Sequence, residues 1–455
     1  MKLSATLLFF FLLSTQILYS QTLEDKIGQM IMVGFGNSQQ AQDSLAYDLS
    51  QRNLGGVLLF AYNLRFPSQI KSQSTRLQQQ AETPLFLATD QEGGIVARLD
   101  ENNGFSRTYT AHKLGTEFNS EDSTRSQAQR MANWMKSSGL NMNLAPVVDV
   151  NINPESPAIA GLDRSFSSDE EQVYAHASWF IDEFQKMNIA TTLKHFPGHG
   201  SAVDDSHNGF TDITDTWEER ELTPFKLLID DGYQDAIMTG HLFNQNWDQD
   251  YPSSLSHAAV SGMLRDSLGF EGVVITDELF MDAIQENYGF DESIIQVINS
   301  DTDILLFSTN LYKEQSLVGY VTSLVKQKVK EGIIAEATID NSYRRIMNLK
   351  EQRITTHTDE PIVFQDELPE AIDISNYPNP FNPSTTIVIQ LKEPVVAQIQ
   401  IFNSIGQNVE TITRTNLSSG THQFNFHAEG LSSGMYFVVV HTKKTRVSHK
   451  MMVIK

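Results

Sequence analysis

The sequence lacks cysteine, is poor in basic residues and has no long apolar run after its N-terminal stretch. The absence of cysteine excludes disulfides and thiolate metal sites, so a protein exported to an oxidising space would have no thiol to oxidise. The 33 Lys and Arg residues against 56 Asp and Glu residues give a net charge of -23. This balance disfavours a nucleic-acid partner, because phosphate binding needs a basic surface.

The N-terminus has the pattern of a secretory signal peptide. Lys2 supplies a positive start, and the apolar segment Leu7–Leu13 is too short to span a bilayer. The alternative is an uncleaved membrane anchor. We predict that residues 1–21 are a signal peptide cut near Ser20 or Gln21. No later segment has the roughly 20 continuous apolar residues of a spanning helix, so we predict no transmembrane segment in the mature protein.

Short apolar runs alternate with longer helical patterns from Leu23 to about Gln352. Eight runs with helices between them indicate a parallel sheet, and their number favours an α/β fold of the (β/α)8 TIM-type barrel over an open doubly wound sheet. The predicted strands are Met30 to Phe35, Gly56 to Phe60, Leu85 to Thr89, Asn141 to Val148, Ala190 to His195, Asp235 to His241, Val273 to Asp277 and Thr302 to Phe307.

The composition changes twice towards the C-terminus. Residues 356–373 are rich in Thr, Asp and Glu and contain two prolines, which is typical of a linker. From Ile374 onward, alternating apolar and polar residues with repeated Ser and Gly turn signals indicate a small all-β, sandwich-like domain. We therefore predict a barrel domain over 22–355, a linker over 356–373 and a C-terminal β domain over 374–455.

Polar side chains follow several of the predicted strands. In a barrel the carboxyl ends of all strands meet at one rim, which is where catalytic groups lie. These residues are Asp90-Gln-Glu-Gly-Gly94 after the third strand, Lys194-His195 at the end of the fifth, Gly240-His241 after the sixth and Thr276-Asp277 at the end of the seventh. The loop from Asn151 to Gly161, which follows the fourth strand, places Arg164 near the same opening.

The stretch from Thr191 to Gly209 is the segment around which the chain is organised. It begins as a buried strand and breaks at a Pro-Gly pair, so that a polar loop follows. That loop carries several titratable side chains: His199, Asp204, Asp205 and His207. Because Asp205 lies two residues before His207, its carboxylate can orient that imidazole. Together with Asp277, this pair supplies a nucleophile and a proton donor.

Simpler interpretations stand beside this one. Asp277 precedes a helical pattern and could serve as an N-cap, and His207 could be an ordinary exposed loop histidine. His195 and His199 have the spacing of two metal ligands one helical turn apart. However, the Pro-Gly pair between them would break that helix, and the His-Glu-x-x-His order is absent. We therefore predict neither a metal nor a cofactor.

Five motifs together resemble the bacterial β-N-acetylglucosaminidases of glycoside hydrolase family 3, over roughly Leu23 to Ile346. The motifs are Asp90-Gln-Glu-Gly-Gly94, Asp163-Arg-Ser-Phe166, Lys194-His-Phe-Pro-Gly-His-Gly200, Asp205-Ser-His207 and Ile275-Thr-Asp-Glu-Leu-Phe-Met281. The chain departs from the family at Ile95, where Arg is frequent, and at Ser300-Asp301, where Ala-Gly is usual.

This resemblance implies a retaining mechanism on a (β/α)8 barrel. Asp277 matches the nucleophile, and His207 with Asp205 matches the acid/base dyad. The side chains implied to hold the terminal N-acetylglucosamine are Asp90, Arg98, Arg164, Lys194 and His195. Structural salt bridges at the barrel mouth are the alternative role for these five.

The C-terminal segment resembles a type IX secretion sorting domain over about Ile374 to Lys455. The resemblance is carried by Tyr377-Pro-Asn-Pro-Phe-Asn-Pro-Ser384, Ile401-Phe-Asn-Ser-Ile-Gly-Gln407, Leu431-Ser-Ser-Gly-Met-Tyr-Phe437 and Lys450-Met-Met-Val-Ile-Lys455. It implies recognition by the type IX secretion machinery and removal or replacement of the domain during surface attachment. A carbohydrate-binding β-sandwich is the alternative, but the segment has no Trp and only two Tyr to build an aromatic platform.

The expected protein is a β-N-acetylhexosaminidase, secreted or attached to the outer-membrane surface, acting on chito-oligosaccharides or peptidoglycan fragments. Two other functions remain open. A β-glucosidase of the same family usually has a second α/β domain that contributes an acid, whereas here a linker and a β domain follow the barrel. A glycan-binding protein on an inactive barrel would be expected to lack Asp277 or His207, and both are present.

Overall fold

Eight parallel strands form the central sheet of the N-terminal domain. The computed structural model describes residues 21–205, 209–354, 372–391, 394–403, 407–442 and 446–454. The strands, here called the first to the eighth barrel strand, are Ile31–Val33, Gly56–Leu58, Phe86–Thr89, Met142–Asn143, Ala190–Phe196, Ala236–Thr239, Val273–Thr276 and Leu305–Phe307.

The sheet closes on itself. The first barrel strand pairs with the second and with the eighth, and the register of the last pair sets Ile31 opposite Leu305. A parallel bridge joins Ile275 to Ile304, and the Thr276 N–H donates to the Ile304 carbonyl at 3.0 Å. The predicted (β/α)8 barrel is thereby confirmed, with a hydrogen-bonded seam between the seventh and eighth strands.

Each barrel strand is followed by a helix. These helices are Gln39–Gln51, Pro67–Gln80, Glu121–Ser138, Glu170–Lys186, Thr223–Asp230, Ala258–Ser267 (a π-helix), Phe290–Asn299 and Leu317–Lys330. The helix Leu23–Gln29 precedes the first strand, and Glu336–Arg353 follows the last repeat. Shorter helical segments lie in the loops: Glu101–Asn103, Lys113–Phe118 (a π-helix), Ala160–Leu162, Glu219–Leu222 and Asp282–Gln285.

Local sequence sets several of these helix starts. Ser38, Ser120, Asp169 and Ser316 precede helices and accept a hydrogen bond from a backbone N–H of the first turn. The strands are buried over their whole length, as is usual when helices cover a parallel sheet, and most of their residues are apolar; Thr191, Lys194 and His195 in the fifth strand are among the exceptions. Packing of the helices on this ring therefore forms the core.

The fourth barrel strand is shorter than predicted. Its ladder covers only Met142–Asn143, because Pro146 has no N–H to donate and interrupts the pairing. The chain nevertheless continues beside the fifth strand, where the Val148 N–H donates to the Lys194 carbonyl at 2.8 Å. The prediction of one continuous strand from Asn141 to Val148 is therefore wrong, although the chain does run beside the fifth strand as far as Val148.

The amino-terminal end of the barrel is closed by a set of ion pairs that we call the base cluster: Asp235, Arg265, Asp303, Arg345 and Arg353. Asp303 is fully buried, accepts from the Val274 N–H at 2.8 Å and pairs with both Arg265 and Arg345 at 2.8 Å. Asp235 pairs with Arg353 at 2.7 Å. The final helix is thereby fastened to the base of the barrel.

The C-terminal region is a separate all-β unit. A three-stranded antiparallel sheet contains Ile372–Tyr377, Ser384–Leu391 and Gly420–His427, and a four-stranded antiparallel sheet contains Val395–Asn403, Asn408–Leu417, Gly434–His441 and Arg446–Val453. Residues such as Ile387, Ile399 and Val438 form its core. The first strand begins at Ile372, so the predicted boundary at Ile374 lies two residues inside the unit.

Two sequence predictions fall partly or wholly outside the described residues. The predicted signal peptide has only its last residue among them, and the predicted linker has only its final two. In the described part of the chain, no helix is both long and apolar enough to cross a membrane.

Candidate active site

The predicted site residues lie at the carboxyl end of the barrel. Asp90 follows the third barrel strand, Lys194 and His195 lie near the end of the fifth, and Asp277 follows the seventh. The Asp277 N–H donates to the Thr239 carbonyl at 3.0 Å, which ties it to the end of the sixth strand. The expected convergence of strand termini on one rim is therefore present.

A buried lysine links two acidic residues from the loop after the third strand. The Lys194 ammonium donates to Asp90 Oδ1 at 2.9 Å and lies 2.7 Å from Glu92 Oε1. Arg98 is looser, with its Nη2 at 3.5 Å from Asp90 Oδ2. The Asp90 side chain is 17% exposed, whereas those of Lys194 and Glu92 are nearly inaccessible. Among these acids and the lysine, Asp90 is thus the one that keeps an exposed side, next to the partly exposed Arg98.

Arg164 joins the same group from the loop after the fourth strand. Its Nε donates to Glu92 Oε2 at 2.9 Å and its Nη2 to Glu92 Oε1 at 2.8 Å, which is a bidentate pair. Its Nη1 donates to the Ala158 carbonyl at 3.1 Å. The Arg164 Nη2 also lies 3.2 Å from His195 Nε2. Because an arginine cannot accept, the His195 Nε2 is the acceptor.

Asp149 holds His195 from its other side. Its Oδ2 lies 2.7 Å from His195 Nδ1, which must carry the hydrogen because a carboxylate only accepts. Its Oδ1 accepts from the backbone N–H groups of His195 at 3.0 Å and of His199 at 2.8 Å. The ring orientation and tautomer of His195 are therefore fixed by Arg164 and Asp149 together. We call the joined set the mouth cluster: Asp90, Glu92, Asp149, Arg164, Lys194 and His195.

The charges of the mouth cluster support one another. Burial alone would raise the pKa of Glu92, but the cationic groups of Arg164 and Lys194 hold it well below its usual value. Burial alone would lower the pKa of Lys194, and Asp90 and Glu92 raise it instead. Burial alone would raise the pKa of Asp149, yet its contacts with His195 keep it below its usual range. Glu92, Asp149 and Lys194 are consequently ionised together at neutral pH.

Asp277 does not cap a helix. The next helix, Asp282–Gln285, begins five residues later and has Met281 at its N-cap without a side-chain hydrogen bond. Asp277 Oδ1 instead accepts from the N–H of Glu278 at 2.8 Å. The N-cap interpretation is therefore wrong, and the partly buried carboxylate stands at the rim.

Glu278 and His241 fix the turn that carries Asp277. The Glu278 carboxylate accepts from the N–H of Ser308 at 2.8 Å and of Phe280 at 3.0 Å. His241 Nε2 lies 2.9 Å from the Glu278 carbonyl, to which it must donate, and its Nδ1 lies 2.7 Å from Ser254 Oγ. The ends of the sixth, seventh and eighth strands are thus joined around Asp277. Burial raises the pKa of Glu278.

The loop after the fifth strand brings Asp205 to the same side of the barrel, half-buried. His207, the predicted proton donor, lies outside the described residues, so its distance from Asp205 stays a prediction. His199 is buried, and this burial lowers its pKa to about 4. In the described part of the chain, no three His, Asp or Glu side chains are grouped so that they could hold a metal ion.

Sequence reasoning missed several residues of the site. Glu92 lies inside a motif that was noticed, but it was given no role of its own. Asp149 had a usable signal, because it is an acid in the apolar run Val147-Val148-Asp149-Val150 at the end of a predicted strand. Glu278 lies inside the quoted motif Ile275–Met281, but its partners Ser308 and Phe280 are set by the fold, so it too was given no role.

Comparison with known proteins identifies the barrel. The glycosyl hydrolase family 3 N-terminal domain matches residues 22–349. The chain belongs to glycoside hydrolase family 3. It is therefore a glycoside hydrolase, in agreement with the five sequence motifs.

Several of the relatives and solved structures that it resembles carry hexosaminidase or N-acetylglucosaminidase names. A β-hexosaminidase of Tolumonas auensis is 35% identical over 271 residues, which cover 58% of this chain and 78% of the relative. The β-hexosaminidase LpqI of Mycobacterium tuberculosis is 30% identical over 334 residues, covering 72% and 82%. A family 3 β-N-acetylglucosaminidase structure from Paenibacillus sp. FPU-7 has a TM-score of 0.69 at 32% identity, over 76% of this chain and 65% of that one. A β-N-acetylhexosaminidase structure from Beutenbergia cavernae has a TM-score of 0.66 at 28% identity, over 73% and 99%.

The C-terminal unit is identified in the same way. Residues 375–455 match the secretion system C-terminal sorting domain. This match confirms the predicted type IX sorting domain rather than a carbohydrate-binding sandwich. A sorting domain of this kind indicates a protein that is secreted or attached to the cell surface.

Proposed function

We propose that this chain is a retaining β-N-acetylhexosaminidase that releases terminal non-reducing N-acetylglucosamine from chito-oligosaccharides or peptidoglycan fragments. The observation that carries this proposal is the mouth cluster, whose charged and hydrogen-bonded side chains lie at the same barrel end as Asp277. A sugar has only hydroxyl and amide groups to offer, and charged partners bind them strongly when water is excluded. The similarity to named β-hexosaminidases supports the choice of an N-acetylated sugar.

In the proposed first step, the Asp277 carboxylate attacks the anomeric carbon through an oxocarbenium-like transition state. The bond from that carbon to the leaving oxygen breaks, and His207 donates its proton to this oxygen. In the second step His207 takes a proton from water, whose oxygen attacks the same carbon and releases Asp277. The sugar leaves with its original β configuration, because each step inverts the anomeric carbon.

An imidazole in place of the usual carboxylic acid requires a partner. A free histidine has a pKa of about 6.5, so only part of it is protonated at neutral pH. We propose that Asp205 raises the protonated fraction of His207 and orients its ring, as an opposite charge within hydrogen-bond reach does. The same ring then serves as the base when water attacks.

Asp90, Arg98, Arg164, Lys194 and His195 are proposed to bind the sugar. Lys194 and Asp90 are the best placed of these to contact hydroxyl groups, because Lys194 has three donors and Asp90 keeps an exposed face. Both terminal nitrogens of Arg164 already donate hydrogen bonds within the protein, Nη1 to the Ala158 carbonyl and Nη2 to Glu92 and His195. Its contribution is therefore to hold the ring of His195 towards the ligand as much as to touch the sugar.

The proposed cellular route follows from the sorting domain. We propose that the type IX secretion machinery carries the protein across the outer membrane and that the domain is then removed or replaced during surface attachment. The match over residues 375–455 supports this route. Its test is mass spectrometry of the exported protein, which should end within residues 355–371; an exported chain that still carries the C-terminal unit would contradict removal.

The test of the activity compares two aryl glycosides that differ only in the sugar. The full chain should hydrolyse an aryl β-N-acetylglucosaminide strongly and the matching β-glucoside weakly, and Asp277→Ala should remove the activity. A fluorinated N-acetylglucosaminide should leave a covalent adduct on Asp277, detectable by peptide mass. Preference for the glucoside would assign the protein to the β-glucosidases, and binding of the sugar without turnover would assign it to glycan-binding proteins.

A further inference from the structure

We propose that Glu221 is a positioning residue for proton transfer, because it supports the loop that carries Asp205 and His207. The proposal rests on the proposed hydrolase function. Glu221 lies in the short helix Glu219–Leu222, after the loop and outside all the motifs of the sequence. It touches no reacting atom and acts only through the backbone of the loop.

Glu221 binds the loop at its beginning. Its side chain is completely buried, and its Oε2 accepts from the N–H of Gly200 at 2.9 Å and of Ser201 at 3.2 Å. Its Oε1 faces the N–H of Glu218 at 3.4 Å, which joins the carboxylate to the start of its own helix. Ser201 lies only four residues before Asp205. A displacement of the chain at Ser201 would therefore move the dyad.

The packing shows why the loop lies directly on this carboxylate. A Cβ on Gly198, whose φ is +120°, would come within 2.5 Å of the Glu221 Cβ, and one on Gly200 would come within 1.6 Å of the Val150 carbonyl oxygen. The two glycines of Pro-Gly-His-Gly thus allow the backbone to pass between Glu221 and Val150. No larger residue fits at Gly200 without moving the chain.

The far end of the loop is held as well. Thr211–Asp212 pairs with Leu242–Phe243 in a parallel ladder, and the Ile213 N–H donates to the Phe243 carbonyl at 2.8 Å. The indole N–H of Trp217 donates to the Pro197 carbonyl at 3.1 Å. The described parts of the loop on either side of His207 are therefore both held by hydrogen bonds. At the first of them, Glu221 acts together with Asn153, whose N–H donates to the Gly200 carbonyl at 2.9 Å and whose Nδ2 donates to the Ala202 carbonyl at 3.0 Å.

The chemistry of Glu221 also points beyond packing. No Lys or Arg in the described part of the chain pairs with it, so the buried carboxyl is held by neutral donors such as the N–H groups of Gly200 and Ser201 and has no counter-charge. Burial raises its pKa to about 7. An unpaired buried carboxyl is expensive for a fold, and a leucine or methionine would fill the same space at no such cost. A defined loop position is what the carboxyl provides and an apolar side chain cannot.

A leaving-group series tests this inference in the full chain. An aryl N-acetylglucosaminide with a poor leaving group, such as phenyl, needs the proton in the first step, whereas one with a good leaving group, such as dinitrophenyl, needs it little. For Glu221→Leu we expect kcat/KM on the poor substrate to fall about tenfold or more relative to the good one. Glu221→Gln keeps an acceptor oxygen, so this ratio should stay within about twofold of the wild-type value.

The matched control is Asp48→Leu. Asp48 is likewise a fully buried carboxyl, but it lies within the helix Gln39–Gln51 and binds Arg52 and Ser316. Its loss should reduce stability and leave the ratio of kcat/KM on the two substrates unchanged. If Glu221→Leu does not fold, Trp217→Phe removes another of the hydrogen bonds that hold the start of the loop and should shift the ratio of the two kcat/KM values in the same direction.

Two failures can be told apart. If the wild-type chain hydrolyses neither aryl N-acetylglucosaminide, the proposed function is wrong. Suppose instead that the wild type is active but Glu221→Leu, or Trp217→Phe in its place, lowers kcat/KM equally on both substrates. Glu221 is then only structural, and the inference is overturned.

Discussion

The two ends of the barrel each hold a buried cluster of charges. The clusters differ in how many protein hydrogen-bond partners their carboxylates have. In the base cluster, Asp303 and Asp235 each accept from a backbone N–H in addition to arginine. In the mouth cluster, Asp90 has only Lys194 and Arg98 as partners among the described residues. The Asp303 side chain is 0% exposed and that of Asp90 is 17% exposed.

This difference teaches that a buried ion cluster does not by itself mark a functional site. The base cluster is saturated by protein groups and fastens the final helix to the strands, which is the usual role of the amino-terminal face of such barrels. The mouth cluster combines saturated members, such as Glu92, with members that keep hydrogen-bonding capacity for a ligand. Variants at the two ends should therefore separate activity from stability.

The largest effect is expected at the mouth, for Asp277→Asn. The amide cannot form the glycosyl-enzyme bond, so kcat/KM on an aryl N-acetylglucosaminide should fall by ~10⁴-fold or more. Because Asp277 is only partly buried, the urea midpoint should stay close to that of the wild type. Steady-state kinetics and urea unfolding measured on the same sample check both. Retention of substantial activity would place the nucleophile elsewhere.

The opposite result is expected at the base, for Asp303→Asn. This change leaves Arg265 and Arg345 with only the partly exposed carboxylate of Asp301 as a counter-charge, so the free energy of unfolding should fall by about 3 kcal/mol, as when a buried ion pair is broken. The activity per folded molecule should not change. Asp340→Asn, which removes a solvent-exposed pair with Lys26, is the control and should change stability by less than about 1 kcal/mol. A selective loss of activity in Asp303→Asn would end the distinction between the two clusters.

A mixed effect is expected for Lys194→Met. Asp90 loses its closest cation, and Glu92 keeps only Arg164. We expect kcat/KM to fall by about 10²–10³-fold, as when one preorganised donor is removed, together with a measurable loss of stability. Kinetics on the N-acetylglucosaminide and urea unfolding would show both. A pure stability loss with normal kcat/KM would make the mouth cluster a second structural cluster.

The smallest effect is a pH dependence at Glu221. Its pKa is raised from 4.5 to about 7, mainly by burial and also by the nearby charge of Asp149. The folded protein therefore binds more protons than the unfolded chain between these two values, and stability should fall as pH rises through that range and level off above it. The lost stability is on the order of 3 kcal/mol.

The check is the difference between wild type and Glu221→Gln. The neutral amide removes this titration, so the wild type should lose stability relative to the variant as pH rises from 4.5 to about 7. Other groups largely cancel in the comparison because they titrate in both proteins. A difference that does not vary with pH would show that burial leaves the Glu221 pKa unshifted.

The sequence was sufficient for much of the fold. All eight barrel strands were predicted because each is a short apolar run between helical patterns. A short apolar run of this kind indicates a strand that is buried on both faces of the sheet. The extent of the fourth strand was predicted wrongly, since Pro146 was visible but its effect depends on which neighbour the strand pairs with. The positions of Lys194 and Asp277 at strand ends were predicted for the same reason as the strands, whereas their roles stay a prediction.

The residues that support the site could not be predicted in the same way. Asp149 binds His195 across 46 positions, and Glu221 binds Gly200 across 21. Neither partner is near in sequence, and no periodicity connects them. Local patterns reveal which side chains reach the rim, whereas the groups that hold them depend on long-range pairing that only the folded chain supplies.

The attachment of Arg353 to Asp235 also determines the direction from which the catalytic domain can be held. Arg353 ends the last helix, and its partner precedes the sixth barrel strand, on the face opposite to the mouth cluster. The polypeptide therefore leaves the domain through its closed end. Attachment through the segment that follows residue 354 would therefore hold the barrel at its base, so that tethering need not obstruct the end that carries the mouth cluster.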